Sequence, residues 1–148
     1  MSAASVPEVT LSIGAFTFPG RFERQSAPKA VAWLIKRLPL QGTALQARWS
    51  GEAAWIPLGG FRLDVGFENH TSHPSVGDIL FYPGGYSETE ILLAYGACSF
   101  ASRMGPLAGN HFLTIVEGRE QLKALGHRVL WEGAQDVLFT LEADSPHE

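Results

Sequence analysis

Hydrophobic and polar positions alternate along most of this chain, and the alternation gives way to a helical period in two places. Val9, Leu11 and Ile13 share one side of a predicted strand over residues 8–18, with Thr10 and Ser12 on the other. Pro19-Gly20 predicts a reversal, because proline presets φ and glycine accepts positive φ, and residues 21–24 return as a second strand. From Ser26 the period changes. Val31, Leu34, Ile35 and Leu38 recur at i, i+3, i+4 and i+7, one helical stripe. Ser26 is the expected N-cap, Pro28 suits the first turn, Lys36 and Arg37 complement the C-terminal dipole, and Pro39 ends the helix. Trp33 falls off the stripe and is expected to cap a barrel end or to meet another subunit.

Alternation resumes after Leu40. Leu45, Ala47 and Trp49 share a face, residues 53–56 form a short apolar strand, and Phe61, Leu63, Val65 and Phe67 form an inward row. Residues 78–82 and 90–95 are apolar strands around the Pro83-Gly84-Gly85 turn, and in residues 111–116 Phe112, Thr114 and Val116 share a face. A second short helix is predicted over 119–125, with Gly126 as its C-cap. Strands at 129–131 and 136–142 follow, and 144–148 form a frayed tail. About nine short strands and two helices, linked by tight turns, predict a mainly β fold. The expected architecture is a closed, mostly antiparallel barrel with two helices covering it, since closure removes exposed strand edges.

Size and charge narrow the partners. At 148 residues the chain is expected to form one domain, with its core over about residues 9–142 and frayed termini. Hydrophobic residues make up 45% and charged residues 18%, enough apolar surface for a real core. The net charge of −4 gives a nucleic acid no electrostatic footprint, so no nucleic-acid partner is expected. No apolar run approaches the ~20 residues of a membrane span, and the first residues lack the basic and apolar regions of a secretory leader. The lone cysteine, Cys98, lies among small and apolar neighbours and reads as a buried structural thiol; the expected compartment is the cytoplasm.

Three segments carry a family resemblance. The first runs from Glu68-Asn69-His70-Thr71-Ser72-His73-Pro74 through Gly77-Asp78-Ile79-Leu80-Phe81-Tyr82-Pro83-Gly84-Gly85. The second is Ser87-Glu88-Thr89-Glu90, and the third is Gly109-Asn110-His111-Phe112-Leu113; Leu38-Pro39-Leu40 fits the opening before them. Together they resemble a family of uncharacterised bacterial proteins with a cyclophilin-like barrel. The resemblance spans roughly residues 9–142 and implies the fold without a reaction. Against the cyclophilins themselves the match is partial. Gly109-Asn110-His111-Phe112-Leu113 is similar to their active-site strand, with His111 where they carry glutamine, but their Phe-His-Arg motif is absent.

The candidate chemistry lies in four groups. Glu68, His70 and His73 form a dense polar cluster that would hold a divalent metal if the loop folded back, with His111 completing the set; the competing reading is a surface turn. Its spacing departs from the cupin pattern, and no metal or other cofactor is assigned. Glu88 and Glu90 point to one face, as a general acid and base would; the alternative is a solvent-facing strand start. Arg48 can clamp a carboxylate or pair with Glu52. Tyr82, Asn110 and His111 edge the strands that resemble the cyclophilin binding face, and His111 can act as a base near neutral pH. Trp49 and Trp55 flank a turn and can wall a pocket, although tryptophan is more often core.

Function therefore stays open between classes. The first reading is a small polar or anionic metabolite bound on the barrel flank, with hydrolase or isomerase chemistry. There His111, Glu88 and Glu90 would be catalytic, and Arg48, Glu68, His70, Tyr82 and Asn110 would bind ligand. The alternatives are a peptide or prolyl-bond binder, a cupin-like metal site, and a non-catalytic homo-oligomeric partner protein. Convergence of Arg48, Glu88 and His111 in one cleft would favour the first.

Overall fold

The computed structural model describes residues 7–59, 65–85 and 87–142. Strand β1 (Val9–Ile13) turns through Gly14 and Ala15 into β2 (Phe16–Phe22), and helix α1 (Pro28–Ile35) follows. Then come β3 (Leu40–Gln46), β4 (Gly51–Pro57), the two-residue β5 (His70–Thr71), β6 (Asp78–Tyr82) and β7 (Glu90–Cys98). The chain continues with β8 (Ala101–Ser102), β9 (Gly105–Pro106) and β10 (Gly109–Ile115). A 3-10 turn at Arg119–Gln121 leads into α2 (Leu122–Glu132), and β11 (Gln135–Leu141) ends the described fold. The sheet runs β2-β1-β11-β3-β4-β7-β6-β10, and β10 pairs back onto β2, so eight strands close a barrel. Every pairing is antiparallel. Strand β5 adds to the start of β10, while β8 and β9 form a separate hairpin.

The interior is built in register. Ala54, Leu93 and Ile79 align across β4, β7 and β6, and Ile56, Ile91 and Phe81 form the next layer. Val31 and Leu34 of α1 and Leu122, Leu125 and Val129 of α2 join the same core. The alternate side chains, Leu92 and Leu80, face outward and are buried again, with Phe100 and Leu107 beside the β8–β9 hairpin. Strands β6 and β7 are thus covered on both faces. That is why they read as unbroken apolar runs instead of alternating. The apolar second cover also creates the setting of the candidate site.

Several elements differ from the sequence expectation, each for a physical reason. The first turn lies at Gly14, whose φ of +57° an L side chain rarely adopts, while Pro19-Gly20 sits inside β2. Strand β2 runs on because it bridges β1 and β10, and the Pro19 carbonyl accepts from the Val116 N–H. Helix α1 has Ala27 as its N-cap, not Ser26, and no side-chain cap from that residue. Trp33 faces the core, its ring 4.8 Å from Phe81. Residues 129–131 are helical, not a strand: Gly126 lies within α2, against the Tyr95 ring, which an added methyl would overlap. A bulge between His111 and Leu113 sends Phe112, Leu113 and Ile115 all into the core, so Thr114 no longer shares the Phe112 face. Phe61 and Leu63 of the expected inward row lie outside the described residues. Residues 65–67 form no strand, and Phe67 is 66% exposed. The 144–148 tail also lies outside them.

Candidate functional site

On the outer flank, beside the second apolar layer, a cleft of about 440 Å³ opens between three walls. The turn joining β3 to β4 supplies Arg48 and Trp49, the β8–β9 hairpin supplies Ser102 and Arg103, and the segment entering β7 supplies Glu88 and Glu90. Trp55 of β4 lines it as well. Two of the walls are tied together by one hydroxyl. Ser50 Oγ donates to the Ala101 carbonyl at 3.1 Å and accepts from the Ala101 N–H at 3.0 Å. The third wall is braced by Tyr82, whose Oη accepts from the Ser87 N–H at 3.0 Å while its ring meets Phe100 edge-on.

Glu90 sets the chemistry of this cleft. It is the first residue of β7, paired with Tyr82 and Pro57 on either side, and only 7% exposed. Among the described residues its carboxyl has neither a hydrogen-bond partner nor a cation within ion-pairing distance. Burial, and secondarily the nearby Glu88 charge, push its pKa up to about 8. At neutral pH most Glu90 carboxyls therefore carry a proton and can donate it, whereas an ordinary glutamate would be ionised. Trp49 is 56% exposed, with the Arg48 guanidinium 5.9 Å from its ring centre. Arg103 stands exposed at the tip of the hairpin. Sequence reasoning missed Arg103 and Ser50: neither belongs to a motif, and only the fold brings residues 48–50 against residues 101–103.

Of the residues singled out from sequence, Arg48, Glu88 and Glu90 line one cleft. Tyr82 stands behind it, and His111 does not line it. The β10 bulge turns His111 toward Thr114 instead, with Nε2 2.7 Å from Thr114 Oγ1 and 3.4 Å from Asp78. Thr114 in turn donates to Glu23 at 2.6 Å, and Arg21 holds the same carboxylate at 2.9 Å. Burial opposes ionisation of Glu23, but the hydrogen bonds from Thr114 and Arg21, with the Arg21 and His111 charges, outweigh it and hold the carboxyl below the usual range.

The remaining candidates have structural work. Glu68 accepts from the Lys29 and Ala30 N–H groups at 3.0–3.1 Å, supplying from a distant loop the N-terminal cap that α1 lacks locally. Asn110, fully buried, accepts from the Glu68 N–H and donates to the Gly66 carbonyl, both at 2.9 Å, and so fixes that loop. His70 stacks on Phe67 with ring centres 4.3 Å apart. Glu68, His70 and His73, weighed from sequence as an alternative metal site, are not brought together as one, and no group of three or more metal-binding side chains occurs among the described residues. Cys98 is half-buried, and burial raises its thiol to about 11, which leaves it a poor nucleophile. No helix among the described residues is long and apolar enough to cross a membrane.

Residues 9–141 match the family described as Protein of unknown function (DUF3830). The chain belongs to that family. No curated protein matches the chain. Among solved structures it is similar to McbB in complex with tryptophan, at 13% identity and a TM-score of 0.67, over 93% of this chain and 46% of that one. The chain thus spans about half the length of McbB. It is also similar to the solution structure of the hypothetical protein AF2241 from Archaeoglobus fulgidus, at 13% identity and a TM-score of 0.54, over 96% of this chain and 100% of that one. At such identities the likeness shows a shared barrel, and the DUF3830 chain's site must be read from its own residues.

Proposed function

We propose that this protein binds a small polar or anionic metabolite in the cleft between Arg48, Glu90 and Arg103, and that Glu90 donates a proton to it. The observation that carries the reading is the Glu90 carboxyl: buried, unpartnered among the described residues, and facing a cleft. Carboxyls perturbed by burial in a cleft cluster at functional sites, and a ligand acceptor would complete this one. Glu88, exposed on the same cleft, is the matching proton acceptor. Two neighbouring carboxyls in one site can serve as proton donor and acceptor in hydrolysis or isomerisation. McbB, part of which is similar to this chain, is described in complex with tryptophan; the assignment here rests on the cleft. The prolyl-bond alternative draws less support, because the His111 ring is engaged by Thr114 and Asp78.

The test is a thermal-shift panel of small carboxylates, amides and divalent metals, with and without chelator, on the wild type and Glu90→Ala. Carboxylates that raise Tm in the wild type and fail in the variant support the reading, since a ligand that binds only the folded state stabilises it. A stabilising ligand with the same effect on both proteins moves the site elsewhere. A side-chain carboxyl resonance of Glu90 titrating near pH 4–5 removes the proton donor.

A further inference from the structure

Resting on the ligand cleft just proposed, we infer that its ligand is a planar aromatic monocarboxylate. Arg48 and Arg103 would hold its carboxylate, Trp49 and Trp55 would cover its ring, and Glu90 would meet a polar substituent.

The first argument is the distribution of arginines. Seven arginines lie in the described residues. Arg21, Arg24 and Arg128 are in ion pairs with glutamates, and Arg37 and Arg119 donate to backbone carbonyls. Arg48 and Arg103 have no such partner among the described residues, and both line the same cleft from different walls. Two guanidinium forks without an ion pair or hydrogen bond among the described residues, one of them resting over Trp49, mark on one small cavity of a chain of net charge −4 a place for a bidentate anion.

Charge selects between anions. With Glu90 protonated, the cleft carries two cations and the Glu88 carboxylate, a net charge of +1 that matches a monoanion. A phosphate dianion would leave the site negative and face Glu88. Shape then selects the body. Trp131 on α2 is barer still, but Trp49, with more than half its surface open at a turn, shares its cleft with a second indole, Trp55. Indole faces favour a flat, polarisable partner over a puckered one. A volume of about 440 Å³ holds one or two fused rings with a short acid arm.

The experiment is calorimetric titration of the full chain at pH 7 with 4-hydroxyphenylacetate, against cyclohexylacetate, 4-hydroxyphenylacetamide, phenyl phosphate and succinate. The aryl acid is expected to bind at least tenfold more tightly than each of the others. Arg48→Ala and Arg103→Ala, on separate walls, should each weaken the aryl acid at least tenfold, toward the amide. Trp49→Ala should erase its advantage over cyclohexylacetate. All three sites are exposed, and an unchanged urea midpoint verifies that each variant is folded.

Cyclohexylacetate binding as well as the aryl acid overturns the aromatic assignment, and phenyl phosphate binding more tightly overturns the monocarboxylate. Succinate binding in a Glu90-dependent way while aryl acids do not sinks this inference and leaves the ligand cleft standing. Silence from every probe, together with an ordinary Glu90 titration, removes both.

Discussion

Two glutamates on the same barrel are driven in opposite directions. Glu23 is surrounded by donors: Arg21 and Thr114 hold its carboxylate, and His111 and Asp78 extend the network. Its pKa falls although it is partly buried. Glu90 is more deeply buried, has no donor among the described residues, and has Glu88 nearby, so its pKa rises to about 8. Burial alone does not distinguish them, because it disfavours the charged form at both. What decides is whether the fold supplies partners. At Glu23 it does; at Glu90 it supplies none among the described residues.

The largest test of this contrast is Glu90→Gln. Below pH 4.5 the carboxyl is protonated in both folded and unfolded chains. Between 4.5 and about 8 the unfolded chain has lost a proton that the folded chain keeps, so stability falls as pH rises and levels off above 8. Urea denaturation should find the variant and wild type alike at pH 4, with the variant ahead by roughly 3 kcal/mol at pH 7. A constant gap across that range would show that Glu90 ionises normally.

Thr114→Val attacks the other side. It strips one donor from Glu23 and the hydroxyl partner from His111, and should cost about 2 kcal/mol at pH 7. Here the sign reverses: the stability from Glu23 is present above the unfolded pKa and is lost as pH falls through its lowered folded value. The Thr114→Val deficit should therefore shrink in acid, and a deficit independent of pH would assign it to packing. Glu68→Ala extends the comparison to a third carboxylate, again fully partnered. It should cost about 1 kcal/mol, with faster amide exchange at Lys29 and Ala30 as the local signature. Smallest in stability is Arg48→Ala, which should stay within about 0.5 kcal/mol of wild type, since the residue is exposed and outside any ion pair. Its effect should appear in ligand binding alone.

The barrel was legible because strand alternation is a local signal, and Val9-Leu11-Ile13 reads the same in sequence and in structure. The errors came where a long-range partner overrides a local cue. Gly126 looks like a helix end until the Tyr95 ring is seen against it, and Pro19-Gly20 looks like a turn until β10 is seen to need β2. The candidate site was legible in part. Glu88 and Glu90 stand out as neighbouring carboxyls, though β7 begins only at Glu90 and Glu88 lies outside it, and Arg48 stands out from its place after a strand. The role of Glu68 was hidden, because its targets lie 38 and 39 residues away on another element. So was the engagement of His111, which depends on a one-residue bulge that leaves no mark in the alternation.

The Ser50 hydroxyl has an evolutionary consequence. By clasping Ala101 on both its donor and acceptor sides, it fixes the root of the β8–β9 hairpin and leaves the tip, with Arg103, outside the lock. Root and tip can therefore diverge at different rates. Substitution of Arg103, exposed at the tip, is expected to leave the barrel undisturbed, and on the proposed function it would change which molecules the cleft admits. The hairpin is in this sense an interchangeable cartridge on a constant frame, and the natural place to begin redesigning selectivity.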